Sequence, residues 1–204
     1  MRAERLAGVV AVLLGAALIA ASLRLVPAAL HREAARAAFD RIVAAETAQP
    51  RVATALVRHS AAALAQHGKP GDRRRLAAAA QVRGDTRRAR RLLRATLRQA
   101  PADAVAWTRL AALRYRGGDK AAGAAALVRA LHTAPAMRRF AAVRAELVLR
   151  LWPRLADRRE TRRLALRQLQ LAAEAMPQRL RKVARGIGRS ALISAAVAGP
   201  RRHR

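Results

Sequence analysis

The chain has 204 residues, with 42 Lys and Arg against 12 Asp and Glu, a net charge of +30, and no cysteine. The missing cysteine excludes disulfides, thiolate metal sites and cysteine nucleophiles, and the charge draws the protein towards anionic partners without choosing among phosphate, lipid headgroup and acidic polysaccharide. Apolar residues make up 53%, yet only Phe39, Trp107, Tyr115, Phe140 and Trp152 are aromatic, so packing volume must come from Ala and Leu. Both are strong helix formers, and no segment alternates with the period of two of a half-buried strand, so the chain reads as all-α. Only Lys69, Lys120 and Lys182 are lysines. Beside so much Ala, that preference for Arg also fits a compositional origin, and a solvated basic face stands beside selection for an anionic partner.

Residues 6–23, LAGVVAVLLGAALIAASL, carry no charge and follow a short tail with Arg2 and Arg5. A secretory apolar region runs about 7–15 residues, whereas about 18 or more approach a bilayer span, so residues 1–27 are expected to form a transmembrane anchor or signal. Cleavage after Ala28 or Ser22, and a buried core helix, are the alternatives. Arg24, Arg32, Arg36 and Arg41 on the far side favour a cytoplasmic body by the positive-inside rule. The order of basic tail, apolar run and small residues resembles an export signal, and on that ground the body is expected outside the cytoplasm. Ala7, Ala11 and Gly15 share one face at four-residue spacing, which suits a homodimer through the anchor or chance in an Ala-rich run.

Residues 28–69 read as a divergent helix pair, 28–47 and 51–66, broken at Pro50 and closed by the turn cluster His67–Asp72. From 70 to 135 the chain repeats itself at a spacing of 34 residues: Leu76-Ala77 recurs as Leu110-Ala111, Gly84-Asp85 as Gly118-Asp119, Leu93 as Leu127, Leu97 as Leu131, and Ala100-Pro101 as Ala134-Pro135. Gly84 and Gly118 can take the left-handed conformation that ends a helix, while Asp85 and Asp119 can cap the next. Pro101 and Pro135 cannot continue the helix before them. One such pair cannot bury its apolar face alone, so the flanks must supply further partners. Helices are expected at 137–151 and 156–175, separated by Pro153, with Asp157 and Glu160 as a reciprocal cap. A last helix at 178–197 completes a domain of 136–199, Gly186 and Gly188 marking a kink or close packing within it. Residues 200–204 form a basic tail.

The 34-residue unit resembles the tetratricopeptide repeat family. Trp107, Leu110 and Ala111 match its first helix, Gly118-Asp119 its turn, Leu127 and Ala130 its second helix, and Pro135 its terminator. Arg114 stands where an aromatic is usual, Gly123 replaces the customary Ala, and Arg73 replaces the Trp of the first unit. The resemblance implies an α-solenoid with a terminal capping helix. It also implies a partner groove along the first helices, at Arg74, Ala78, Gln81, Thr108, Ala112 and Tyr115. Ala78 and Ala112 stand where carboxylate-clamping members place polar side chains, so that specificity does not transfer.

No catalytic constellation emerges. His31, His59, His67, His132 and His203 are scattered without metal-ligand spacing and read as solvated or helix-end groups, so neither metal nor cofactor is expected. Arg87, Arg91, Arg94 and Arg98, at offsets of four, three and four, form one stripe opposite an apolar face. That stripe suits a polyanion, or simple solvation. Nucleic acid is disfavoured, because single-strand binding wants interleaved aromatics. The segment RAELVLRLWPRL, with the anchor and repeats, resembles small membrane-anchored repeat proteins of bacterial exopolysaccharide synthesis and export. The expectation is a non-enzymatic scaffold mediating protein contacts in an envelope assembly. Its site would be the bacterial inner membrane, single-pass with a periplasmic body, its basic surface meeting acidic polysaccharide or anionic lipid. The rival readings are an adaptor on the cytoplasmic face bound to anionic lipid, and a nucleic-acid-binding helical protein.

Overall fold

The computed structural model describes residues 29–35, 37 and 50–198, and among these the fold is all-α with no strand. The helices are α1 (Pro50–His67), α2 (Pro70–Val82), α3 (Thr86–Gln99), α4 (Ala104–Arg116), α5 (Lys120–Thr133), α6 (Ala141–Leu151), α7 (Arg159–Ala175), α8 (Pro177–Gly186) and α9 (Ser190–Val197). Residues 29–35 are also helical. The chain divides into two compact units, residues 1–92 and 93–204.

The expected transmembrane helix, and with it the single-pass inner-membrane localisation, is corrected: no described helix is both long and apolar enough to cross a membrane. A span needs about 20 predominantly apolar residues. The longest described helix, α1 at 18 residues, carries Arg51 and Arg58. The apolar run 6–23, the dimerisation face at Ala7, Ala11 and Gly15, and the tail 200–204 lie outside the described residues.

The 34-residue recurrence is written into the backbone. At the first turn the amides of Arg83, Gly84 and Asp85 donate to the carbonyls of Ala79, Gln81 and Ala80 at 3.1, 3.1 and 2.9 Å. At the second, Gly117, Gly118 and Asp119 donate to Leu113, Tyr115 and Arg114 at 3.1, 3.0 and 3.0 Å, each bond displaced by one period. Gly84 and Gly118 sit at φ +78° and +84°, a region that costs an L-residue about 1–2 kcal/mol. Asp85 Oδ1 then accepts from the Arg88 amide at 2.9 Å, and Asp119 Oδ1 from the Ala122 amide at 3.0 Å, capping α3 and α5.

In the first unit α1 packs against α2. Ala35, Leu56 and Ala79 form a small buried cluster with Val57 against it. Asp72, in the first turn of α2 and fully buried, accepts from Arg32 Nε at 3.2 Å and Arg75 Nη1 at 2.9 Å, which ties the 29–35 helix to α2.

The second unit stacks three helix pairs, α4/α5, α6/α7 and α8/α9. First helices meet first helices (α4 with α6, α6 with α8) and second helices meet second helices (α5 with α7, α7 with α9), a helical-repeat packing. Leu110, Leu127, Leu131, Val148, Leu149 and Leu169 are fully buried between them. Asp103 caps α4 through the Ala106 amide at 2.9 Å. One period later Met137 has no capping side chain, and the α6/α7 pair opens on a 3-10 turn, Arg138–Phe140, before α6 begins.

Two local expectations are corrected. Asp157 does not cap α7, because the helix begins two residues beyond it, with Arg158 at the N-cap and no side-chain cap; Glu160 lies 3.6 Å from His132 Nδ1 instead. The last helix, expected whole over 178–197, is two. Gly188 turns at φ +66°, and the Gly188 and Arg189 amides bond to the Arg185 and Ala184 carbonyls at 3.1 and 2.8 Å, the same pattern that closes α2 and α4.

Candidate functional site

The expected groove residues divide between the two units. On α2, Arg74 and Gln81 are half-buried and Ala78 is buried. On α4, Tyr115 is half-buried beneath the Arg150 guanidinium, 5.9 Å from its ring centroid, and Ala112 is buried. Thr108 is fully buried and faces the interior: its hydroxyl donates to the Ala104 carbonyl at 2.7 Å and accepts from Arg144 Nε at 2.9 Å. Its place is in the packing of α4 on α6.

Arg144 is the unforeseen residue of that packing. It is wholly inaccessible, and no carboxylate among the described residues pairs with it. Nη1 donates to the Ala134 carbonyl at 2.6 Å, and Nη2 donates to Ala130 at 3.1 Å and Ala104 at 3.4 Å. Ala130 and Ala134 close α5, so the cation sits where the helix dipole is negative. Burial pushes the guanidinium down to about 10, which leaves it charged at neutral pH. The sequence did hold a signal, since Arg144 lies on the apolar stripe of Ala141, Ala145 and Val148.

Between α6 and α8 the hollow is about 40 Å³, bordered by Val143, Glu146 and Leu180. The second-helix side is open. A groove of about 870 Å³ runs along α7 to α9, with Arg138, Arg159, Arg162, Arg163 and Arg167 on its walls and Leu166, Leu171, Ala195 and Ala196 in its floor. It continues into a second hollow of about 660 Å³ that shares Gln170 and Glu174 and reaches Arg181, Ile193 and Val197. Gln170 Nε2 donates to the Ala196 carbonyl at 2.6 Å, fixing α9 against α7.

The five arginines are exposed, and none forms an ion pair among the described residues. Asp157 and Glu174 are the carboxylates of the larger groove. Four of the arginines fall within nine residues of α7, three of them in its first five, and Glu160 is the acidic group of the first turn. Like charges at such spacing repel, and the positive helix terminus adds to the repulsion. The groove therefore carries a net positive potential beside apolar lining, suited to holding an anionic, partly apolar ligand.

The stripe on α3 is a surface without walls. Arg87, Arg91, Arg94 and Arg98 are all exposed, opposite buried Ala89, Leu93, Thr96 and Leu97. In the first unit the structure joins two histidines that the sequence left scattered: His31 and His59 lie with Nδ1 atoms 3.2 Å apart and ring centroids 5.4 Å apart. Burial first, then Arg58 and His31, hold His59 below its ordinary 6.5. No third His, Cys, Asp or Glu joins them as a metal ligand among the described residues.

No protein-family model matches the chain, nor does any curated protein.

Proposed function

We propose that this chain is a protein-interaction scaffold of tetratricopeptide-like helix pairs, and that it takes its partner on the second-helix side, in the α7–α9 groove. The supporting observation is the pairing of stacked helices with a hollow of about 870 Å³ whose five arginines outnumber its two carboxylates, Asp157 and Glu174. Ligand sites are concave, with an apolar lining and a few convergent polar groups, and this groove has that make-up. The expected first-helix site is the weaker candidate, because Thr108 is committed to Arg144.

A photo-crosslinking residue at Ala195, in the groove floor, should capture a discrete partner in intact cells, while the same residue at exposed Lys120 should not. The captured segment, identified by mass spectrometry and synthesised, should bind the purified chain and lose affinity for a groove variant. Equal capture at both positions, or a segment indifferent to groove substitutions, would refute the reading.

The α3 stripe supports a second reading, contact with a polyanion such as acidic polysaccharide, because its four guanidiniums share one exposed face. Reversing them to Glu should abolish retention on an acidic polysaccharide column at low salt. Retention unchanged by the reversal would remove the stripe from consideration.

A further inference from the structure

We infer that the α7–α9 groove selects a protein segment that is acidic at one end and apolar at the other, and that it fixes the direction in which that segment lies. The inference rests on the scaffold reading and adds to it the chemistry and polarity of the ligand.

The groove's charge is unevenly distributed. Arg138, Arg159, Arg162 and Arg163 crowd the end where α7 begins, with Arg167 one turn further, and outnumber the one carboxylate lining that end, Asp157. Towards the other end the lining changes to Leu171, Ala195 and Ala196, then Ile193 and Val197, and the charge there is Glu174 opposed by Arg181. Val197 is 63% exposed, a large apolar side chain facing open space at that end. From Arg159 to Glu174 the helix advances about 22 Å at ~1.5 Å per residue. That length accommodates about seven extended residues at ~3.3 Å each.

A ligand acidic throughout would meet Glu174 with a like charge and leave the apolar end uncovered. A ligand apolar throughout would bury the arginines without counter-charges, and an unpaired buried charge is costly. Complementarity is met when carboxylates lie over Arg159, Arg162 and Arg163 and aliphatic side chains follow over Leu171, Ala195 and Val197. Nucleic acid fits poorly, because the lining has no aromatic platform for bases. The surface is also distinct from the expected first-helix groove, since none of Arg74, Ala78, Gln81, Thr108, Ala112 and Tyr115 lines it.

The test uses the full chain and three fluorescein-labelled peptides of one composition. Two carry a block of four Glu and a block of four Leu and Ala, in opposite chain orders, and the third interleaves the same residues. Fluorescence anisotropy at moderate salt should show one block peptide binding about tenfold or more tighter than the interleaved one, a difference of about 1.4 kcal/mol. R159E/R162E/R163E should abolish that preference. R87E/R91E/R94E, the same charge change on α3, should leave it within about twofold, because none of those side chains lines the groove.

A photo-crosslinker on the acidic end should label residues near Arg159, and one on the apolar end residues near Val197. Vesicles of anionic phosphatidylglycerol and a short DNA duplex serve as competitors. Equal affinity for all three peptides, equal loss in both charge-reversed variants, or complete displacement by vesicles or DNA at matched charge would overturn the inference. A partner captured at Ala195 whose bound segment lacks this polarity would overturn it while leaving the scaffold reading standing.

Discussion

Arg144 Nε donates a 2.9 Å hydrogen bond to the hydroxyl of Thr108, thirty-six residues upstream, and so joins the α4/α5 and α6/α7 pairs through a buried cation. The remaining donors go to carbonyl oxygens of α4 and of the end of α5, with Gln168 Oε1 at 3.5 Å from Nη1.

Removing that side chain leaves a void and acceptors without their donor. Arg144→Ala is expected to cost about 3 kcal/mol, from lost packing and buried oxygens left under-satisfied. Arg144→Met should cost clearly less, because it fills much of the volume and removes the desolvated charge. Urea denaturation reads both as shifts in midpoint at constant slope. Equal losses for the two would mean that the charge, and not the volume, holds the pairs together.

The His31–His59 contact makes stability depend on pH in one direction. His59 is held below 6.5 in the fold by burial, then by Arg58 and His31, so the unfolded chain takes up a proton first as pH falls. Stability is fully present above 6.5 and declines as pH drops below it. The wild type should therefore have a lower urea midpoint at pH 5 than at pH 7.5, and His59→Gln should lessen the difference. A pH response unchanged in that variant would place its source elsewhere.

The recurrent turns should respond as backbone features and not as packing features. A Cβ at Gly118 meets nothing within 4 Å, so Gly118→Ala should cost only the left-handed penalty, about 1–2 kcal/mol, and Gly118→Asn less. Asp119→Ala should cost about 1 kcal/mol through the lost cap. Matching losses at Gly84 and Asp85, measured by thermal unfolding, would demonstrate that the two turns are energetically as well as geometrically repeated.

Gly123 should behave in the opposite way. A Cβ there would lie 3.2 Å from the Tyr115 amide nitrogen and 3.4 Å from the Ala111 carbonyl, both backbone atoms of α4 that cannot swing aside. Gly123→Ala raises helix propensity by about 1 kcal/mol, but the forced separation of α4 and α5 should outweigh that, because overpacking costs about 1–3 kcal/mol. A more stable Gly123→Ala protein would show that the helices can part freely.

The recurrence could be read in advance because its signals are local. Gly84-Asp85 and Gly118-Asp119 act through the bonds of a single turn, which neighbouring helices barely alter. Asp157 shows the limit of that logic, since a capping residue is recognisable only when the helix start is fixed, and packing of α7 moved the start to Arg159. Gly188 was visible as a glycine, but whether it bends a helix or ends one depends on φ, which the sequence does not display. The groove was hidden for a different reason. Arg159, Arg162, Arg163 and Arg167 crowd one exposed side of their helix as the α3 arginines do, and α9 lies beside them to form the hollow. Arg144 was obscured by composition: one more arginine attracts no notice in so basic a chain, although its position on an apolar stripe was a sign of burial.

The oxygen atoms that receive Arg144 have a further implication for synthesis. All but Gln168 Oε1 belong to residues that precede it, from Ala104 to Ala134, so most of the socket leaves the ribosome before the plug does. Loss of α4 or α5 would thus strip the guanidinium of most of its acceptors, whereas loss of α8 or α9 would remove none of them.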